Sequence, residues 1–250
     1  MATAHATRVL VELSLIPTLT LARDLYRAPR NAERFRRYLD ALTGGGDDLA
    51  LPITAMNPMG KAHLLAHVEA LLAMNAEARV ERELAAIAPT IAPVRGRLRV
   101  AVVLADDIAG GWTHRYTTDA QHRFESAPLL ERDFAVVLLF ASEAPSVERL
   151  LQETRAIVLR AAYLREHGQA RTLADCLEQE RHVLVAAGVR FPRVPELAKA
   201  RGILAARRDA TDTPTIYACL YGDDAAAQLG YTPLGLPAWA GLALATTDGE

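Results

Sequence analysis

Two near-continuous apolar runs, Arg97–Ala105 (RLRVAVVLA) and residues 134–141 (FAVVLLFA), constrain this chain more than any other feature. A strand with one wet face alternates apolar and polar residues, whereas an unbroken run needs cover on both faces, as in a parallel sheet packed between helices. Residues 8–16 (RVLVELSLI) read as a further strand, and 49–56 (LALPITAM) as a short one that Pro52 marks as edge or irregular.

Helical spacing fills the intervals. Residues 31–42 place Phe35, Tyr38, Leu39 and Leu42 on one face, with Asn31 as N-cap and Gly44 as stop. Asn57-Pro58 reads as an N-cap followed by proline at the first helical position, opening a helix with Leu64, Leu65, Val68, Leu71 and Leu72 on one stripe. Helical spacing continues over 76–87, and Pro89 and Pro93 enforce a connector. A long helix over 145–167 closes at Gly168, a Thr172/Asp175 capping box starts another that ends near Gly188, and 195–208 forms a third. Two apolar segments in the tail, 215–221 and 238–245, read as strands. The alternation predicts an α/β fold: a partly parallel sheet flanked by helices, with a largely helical C-terminal extension. The 250 residues are expected to form one domain, with a joint near 188–195 between the α/β core and the extension.

Composition narrows the function classes. Lys+Arg at 28 against Asp+Glu at 30 gives a net charge of −2, without the basic excess that nucleic acid or an anionic membrane would attract. Arg23, Arg27, Arg30 and Arg34 could form a basic stripe, but Pro29, Asp24 and Glu33 break and dilute it. No apolar stretch reaches the ~18 residues a membrane helix needs. The run 9–21 is interrupted by Glu12 and Pro17 and lacks a basic lead, unlike a signal peptide. Cys176 and Cys219 are the only cysteines and frame no disulfide scaffold, so a cytoplasmic protein is expected. Lysine is rare: only Lys61 and Lys199 occur beside 26 arginines, so a lysine that persists is a candidate for ammonium chemistry.

If the strands ending at Met56, Ala105 and Ala141 run parallel, their carboxyl ends share the edge where open α/β sheets place ligands. Three polar junctions then converge. At the first, Asn57, Gly60 and Lys61 stand at a helix start suited to an anion, with Gly60 permitting close approach. The second is DDIAGGWTHRYTTD, residues 106–119. Asp106 and Asp107 could hold a divalent metal such as Mg²⁺ or exchange protons. Gly110 and Gly111 allow a tight or mobile turn, Trp112 and Tyr116 offer stacking faces, and His114 and Arg115 add a titratable group and an anion clamp. At the third, Glu143 could supply another carboxylate, while Ser142 and Ser146 read as helix caps. His63 and His67 lie four apart but lack the glutamate of a zinc-binding H-E-x-x-H, and read as exposed residues on a helix flank. Glu178 and His182 read as a solvated pair, and Cys176 as an inert core thiol.

These parts suit an anionic small-molecule site in a hydrolase or group-transfer enzyme, with Asp106, Asp107, His114 and Glu143 as the catalytic candidates. No G-x-S-x-G, G-x-G-x-x-G or cysteine cluster supports a serine nucleophile, dinucleotide or redox chemistry. The competing reading is a non-catalytic interaction protein that forms a homo-oligomer through its C-terminal helices.

Overall fold

A computed structural model of the chain describes residues 12–91, 96–108, 110–191 and 194–247. The beginning of the expected first strand, residues 8–11, and the connector's Pro93 lie outside these. In chain order the elements are β1 (Glu12–Ile16), α1 (Thr18–Arg27), α2 (Ala32–Thr43), α3 (Ala62–Ala73), α4 (Ala76–Ile87), β2 (Arg97–Ala105), α5 (Arg115–Phe124), α6 (Ala127–Leu130) and β3 (Phe134–Phe140). Six helices follow: α7 (Val147–His167), α8 (Leu173–Ala187), α9 (Leu197–Ala205), α10 (Thr213–Tyr221), α11 (Asp223–Gln228) and α12 (Ala240–Thr246).

Two compact units emerge. The first contains residues 12–114 and 127–165, and the second 115–126 and 166–247. Residues 188–195 fall within the second.

The first unit is the predicted α/β layer: a parallel three-stranded sheet in the order β1-β2-β3. Every residue of β3 is buried, as is β2 beyond its exposed start and half-exposed Arg99, whose guanidinium lies 4.0 Å over the Phe134 ring. The apolar runs are therefore covered on both faces, with Leu19, Leu25, Leu64, Val68, Val80, Leu84, Leu150 and Val158 among the helical side chains that join the sheet in one core. Local signals set the helix ends. The Asn31 side chain accepts from Arg34 N at 3.1 Å, and Gly44 closes α2 with a φ of 63°. α7 buries Leu150, Thr154, Ile157, Val158 and Ala161 along one stripe.

Two expectations fail in this unit. Residues 49–56 form no strand; among the described residues their backbone pairing with the sheet is an isolated antiparallel bridge from Met56 to Ala105. The place beside β2 ahead of them is taken by Thr18, whose Oγ1 donates to Val102 O at 2.7 Å and accepts from Val102 N at 2.9 Å. Nor does a helix begin at Asn57-Pro58. Asn57 Oδ1 accepts from Met59 N at 2.9 Å and Asn57 O from Gly60 N at 3.1 Å, so the segment is a turn, and α3 starts at Ala62 after Lys61. Asparagine's capacity to bond its own neighbouring backbone serves turns as readily as caps, which is why the sequence signal was ambiguous.

The second unit is helical. Thr172 and Asp175 form the expected reciprocal capping box, and Gly188 ends α8 at a φ of 71°. The two tail segments expected as strands are α10 and α12. Asp212 caps α10 by accepting from Thr215 N at 2.9 Å, while α12 lays an alanine-rich turn against α8. A short apolar run carries no period that separates a buried strand from a buried helix, and here packing decided.

Candidate functional site

The carboxyl end of β2 organises the polar chemistry of the first unit. Asp106, the residue after the strand, is 3% exposed and both its oxygens are engaged: Oδ2 accepts from Asn57 Nδ2 at 2.7 Å, and Oδ1 lies 3.1 Å from His63 Nε2. A buried carboxylate is costly unless hydrogen-bonded, so these two partners account for its placement. They draw the turn at Asn57 and the first turn of α3 onto the strand end.

Around this contact lies a cavity of about 300 Å³ lined by Arg30, Asn57, Met59, Lys61, His63, Asp106, Ile108, Gly110, Gly111 and Trp112. Arg30 and Lys61 are exposed cations on its rim; Arg30 Nε donates to Met59 O at 3.0 Å. Trp112 is 51% exposed, with its indole N–H directed to Thr54 O at 3.4 Å, so the ring walls the opening rather than plugging the core. The loop that carries it is tightly turned. Gly111 N donates to Ile108 O at 2.6 Å and Thr113 N to Asp106 O at 3.1 Å. A Cβ at Gly111 would stand 2.2 Å from Asp106 O, and Gly110 has a φ of 77°, so glycine is required at both positions.

Six of the residues named from the first two junctions, Asn57, Lys61, Asp106, Gly110, Gly111 and Trp112, thus line one cavity. The remaining candidates are placed elsewhere. Gly60 is buried, and its missing Cβ makes room for Leu64 Cδ1 and the Tyr26 ring, so it serves packing rather than ligand approach. Asp107 turns to the third junction, where its oxygens accept from Ser142 N at 2.9 Å and Ser142 Oγ at 2.6 Å. Glu143 lies 3.7 Å from Arg149 and is not a lining residue, and neither is the exposed His114. Arg115 and Tyr116 belong to the second unit, where Arg115 lies 5.6 Å over the Trp239 ring and Tyr116 packs against Tyr221 and Trp239.

The expected metal pair has no common focus, because Asp106 faces Asn57 and His63 while Asp107 faces Ser142. Among the described residues no group of three or more His, Cys, Asp and Glu side chains is placed to hold a metal ion.

Two lining residues escaped the sequence reading. His63 was assigned to an exposed flank, and its side chain is indeed 37% exposed, yet it meets the buried Asp106. Moving the helix start from Asn57 to Ala62 brings His63 into the first helical turn, beside the strand end, and only the tertiary structure gives that start. Arg30 follows α1 in the arginine-bearing segment and had no signal of its own. His67, one turn further along α3, is half-buried; burial pushes its imidazole below the usual range, with Glu143 and Asp107 opposing.

The second unit holds a buried polar cluster that the sequence reading missed. Arg123 donates to both oxygens of Asp119, at 2.6 and 3.1 Å, and to Glu180 Oε2 at 2.5 Å, while Tyr221 donates to Asp119 at 2.9 Å. Burial favours the neutral acid, but the Arg123 guanidinium outweighs it and holds Asp119 down at about 2. Every member is 5% exposed or less, which makes the cluster an internal brace. A separate cavity of about 340 Å³ in this unit has an apolar floor including Leu177, Leu204 and Leu244, with Arg181, Arg201 and Arg208 among its lining residues. Its one lining carboxylate, Glu178, is held by Arg181 at 2.6 Å and held below the usual carboxylate range, first by that bond and in part by His182. Both thiols are buried and free; burial pushes Cys176 up to about 12, as an inert core thiol requires.

Among the described residues no helix is long and apolar enough to cross a membrane. In comparisons with known proteins, no family model, no curated protein and no solved structure matches the chain.

Proposed function

We propose that the first unit binds a small anionic metabolite in the cavity at the carboxyl end of β2. The observation that carries this reading is the meeting of rim cations with a braced polar floor: Arg30 and Lys61 beside Asn57, His63 and Asp106, with Trp112 as an aromatic wall. Small-molecule sites combine an enclosed volume of about 300 Å³ or more with a few convergent polar groups, and open α/β sheets place them at strand carboxyl ends. The first turn of α3 adds its own bias. No side chain caps that helix and no acidic residue stands in its first turn, so its amide dipoles favour a negative charge. One of the chain's two lysines stands at this spot, whereas the other, Lys199, is paired at 3.0 Å with Glu196.

The test is a thermal-shift and calorimetric screen of the purified chain against inorganic phosphate and small mono- and dicarboxylates, with Lys61→Met and Arg30→Met alongside. A ligand at about 100 times its Kd adds roughly 2.7 kcal/mol to stability, a shift read directly from the melting curve. Binding that weakens in both variants without loss of fold is expected. Binding unchanged in both, or no anion bound by the parent chain, refutes the reading.

A further inference from the structure

The anion-binding reading leaves one side chain of the cavity without a task. His63 Nε2 lies 3.1 Å from Oδ1 of Asp106, a carboxylate itself fixed by Asn57 at 2.7 Å. An ionised carboxylate only accepts hydrogen bonds, so neutral His63 carries its hydrogen on Nε2 and leaves the lone pair on Nδ1. Among the described residues Nδ1 has no hydrogen-bond partner, and the side chain is 37% exposed within the cavity lining, open to water and to a bound molecule. A base whose other nitrogen is oriented by a buried acid is the recurring arrangement for activating a nucleophile.

Building on that anion-binding reading, we propose that the cavity hydrolyses carboxylic esters whose acid part carries a second, anionic group, with His63 as general base and Asp106 as its positioning residue. Among the described residues no serine, threonine or cysteine lines the cavity, and the proposed nucleophile is water. Nδ1 takes a proton from water as the water oxygen bonds to the acyl carbon, and the carbonyl π pair moves onto the carbonyl oxygen. That oxyanion then re-forms the C=O bond, the bond to the alcohol oxygen breaks, and the leaving alkoxide takes the proton from Nδ1. The products are the free acid and the alcohol, and His63 returns to its neutral form. Lys61 and Arg30 hold the anionic group that does not react, and Trp112 flanks the apolar body of the substrate. Acyl transfer is favoured over phosphoryl transfer by the charges present. A transferring phosphoryl group spreads charge over three oxygens and calls for several converging cations, whereas this cavity sets a carboxylate among two rim cations.

The experiment uses the full chain with the mono-4-nitrophenyl ester of terephthalic acid, a rigid probe whose free carboxylate cannot reach its own ester. Neutral 4-nitrophenyl benzoate and 4-nitrophenyl phosphate are run in parallel, and terephthalate binding is measured by calorimetry. The expected result is release of 4-nitrophenolate with kcat/KM on the order of 10-fold or more above the benzoate ester. His63→Gln should lower kcat by about 10²- to 10⁴-fold, the usual contribution of a positioned base, while terephthalate affinity stays within about 3-fold. Imidazole added to His63→Gly should restore part of the rate, which separates lost chemistry from lost fold. Asp106→Asn should change the ring ¹⁵N shifts of His63 as the tautomer preference is released, a signature that a merely structural role for Asp106 would not produce. Terephthalate bound but its ester not turned over overturns hydrolysis and leaves anion binding standing; neither bound nor turned over removes both. Wild-type kcat in His63→Gln, or turnover of the phosphate ester alone, also overturns the proposal.

Discussion

Replacing Arg123 by methionine removes a guanidinium that bonds the buried carboxylates of both Asp119 and Glu180. Taking one partner from a buried ion pair costs about 3–5 kcal/mol, because the remaining charges stay desolvated. At about 2–4 °C per kcal/mol for a chain of this size, the melting temperature should fall by roughly 10 °C. The pH dependence gives a sharper check. In the parent chain Asp119 is held at about 2 against an ordinary 3.8, a difference equivalent to about 2 kcal/mol of stability. Because the folded value is depressed, that contribution is fully present above about pH 4 and is lost as pH falls through about 2. In the variant the same carboxyls lack the Arg123 cation, so burial weighs more heavily and drives them toward binding protons in the folded state. Acid therefore weakens the parent while relieving the variant, and the stability gap should narrow between pH 7 and pH 3. Urea unfolding at a series of pH values measures it. A neutral-pH loss below about 1 kcal/mol, or a gap that does not change with pH, would refute the argument that Arg123 neutralises a buried acidic pair.

Three further outcomes are expected. Gly111→Ala drives a Cβ to within 2.2 Å of Asp106 O and 2.7 Å of Ile108 O, so it should cost about 1–3 kcal/mol in urea unfolding and weaken anion binding by shifting Asp106; unchanged stability would show that the loop yields freely. Asn57→Ala leaves Asp106 Oδ2 and Met59 N without their partners and should cost about 1–3 kcal/mol, with calorimetric anion binding weakened in parallel. Cys176 and Cys219, pushed up by burial to about 12 and about 11, should resist an aromatic disulfide reagent at neutral pH until the chain unfolds. Immediate stoichiometric labelling of native protein would contradict their burial.

Much of the fold was legible where its signals are strong and local. The two apolar runs became the two buried strands of a parallel sheet, and Asn31, Gly44, Thr172 with Asp175, and Gly188 stop or start helices where their side chains and φ values predict. The misreadings share one cause. Asn57-Pro58, 215–221 and 238–245 are short segments whose local chemistry fits two conformations, and packing rather than propensity chose between them. The site expectation divided along the same line. Strand carboxyl ends pointed to Asn57, Lys61, Asp106 and the Gly110–Trp112 turn, all lining residues of one cavity. The pairing of Asp107 with Ser142, and of Glu143 with Arg149, is a matter of side-chain direction that spacing does not encode.

The sequence by itself determined the layer architecture, since an unbroken apolar strand can be satisfied only by cover on both faces, and it determined that the densest polar chemistry follows β2. Only the tertiary structure decided that Asp106 is buried and braced by Asn57, that His63 meets it, and that Arg30 arrives on the rim from a turn 33 residues before His63 in the chain. The physical reason is range. Periodicity, caps and turn residues act over a few positions, whereas a buried charge is satisfied by whichever donors the packed chain brings within about 3 Å, however far apart they lie in sequence.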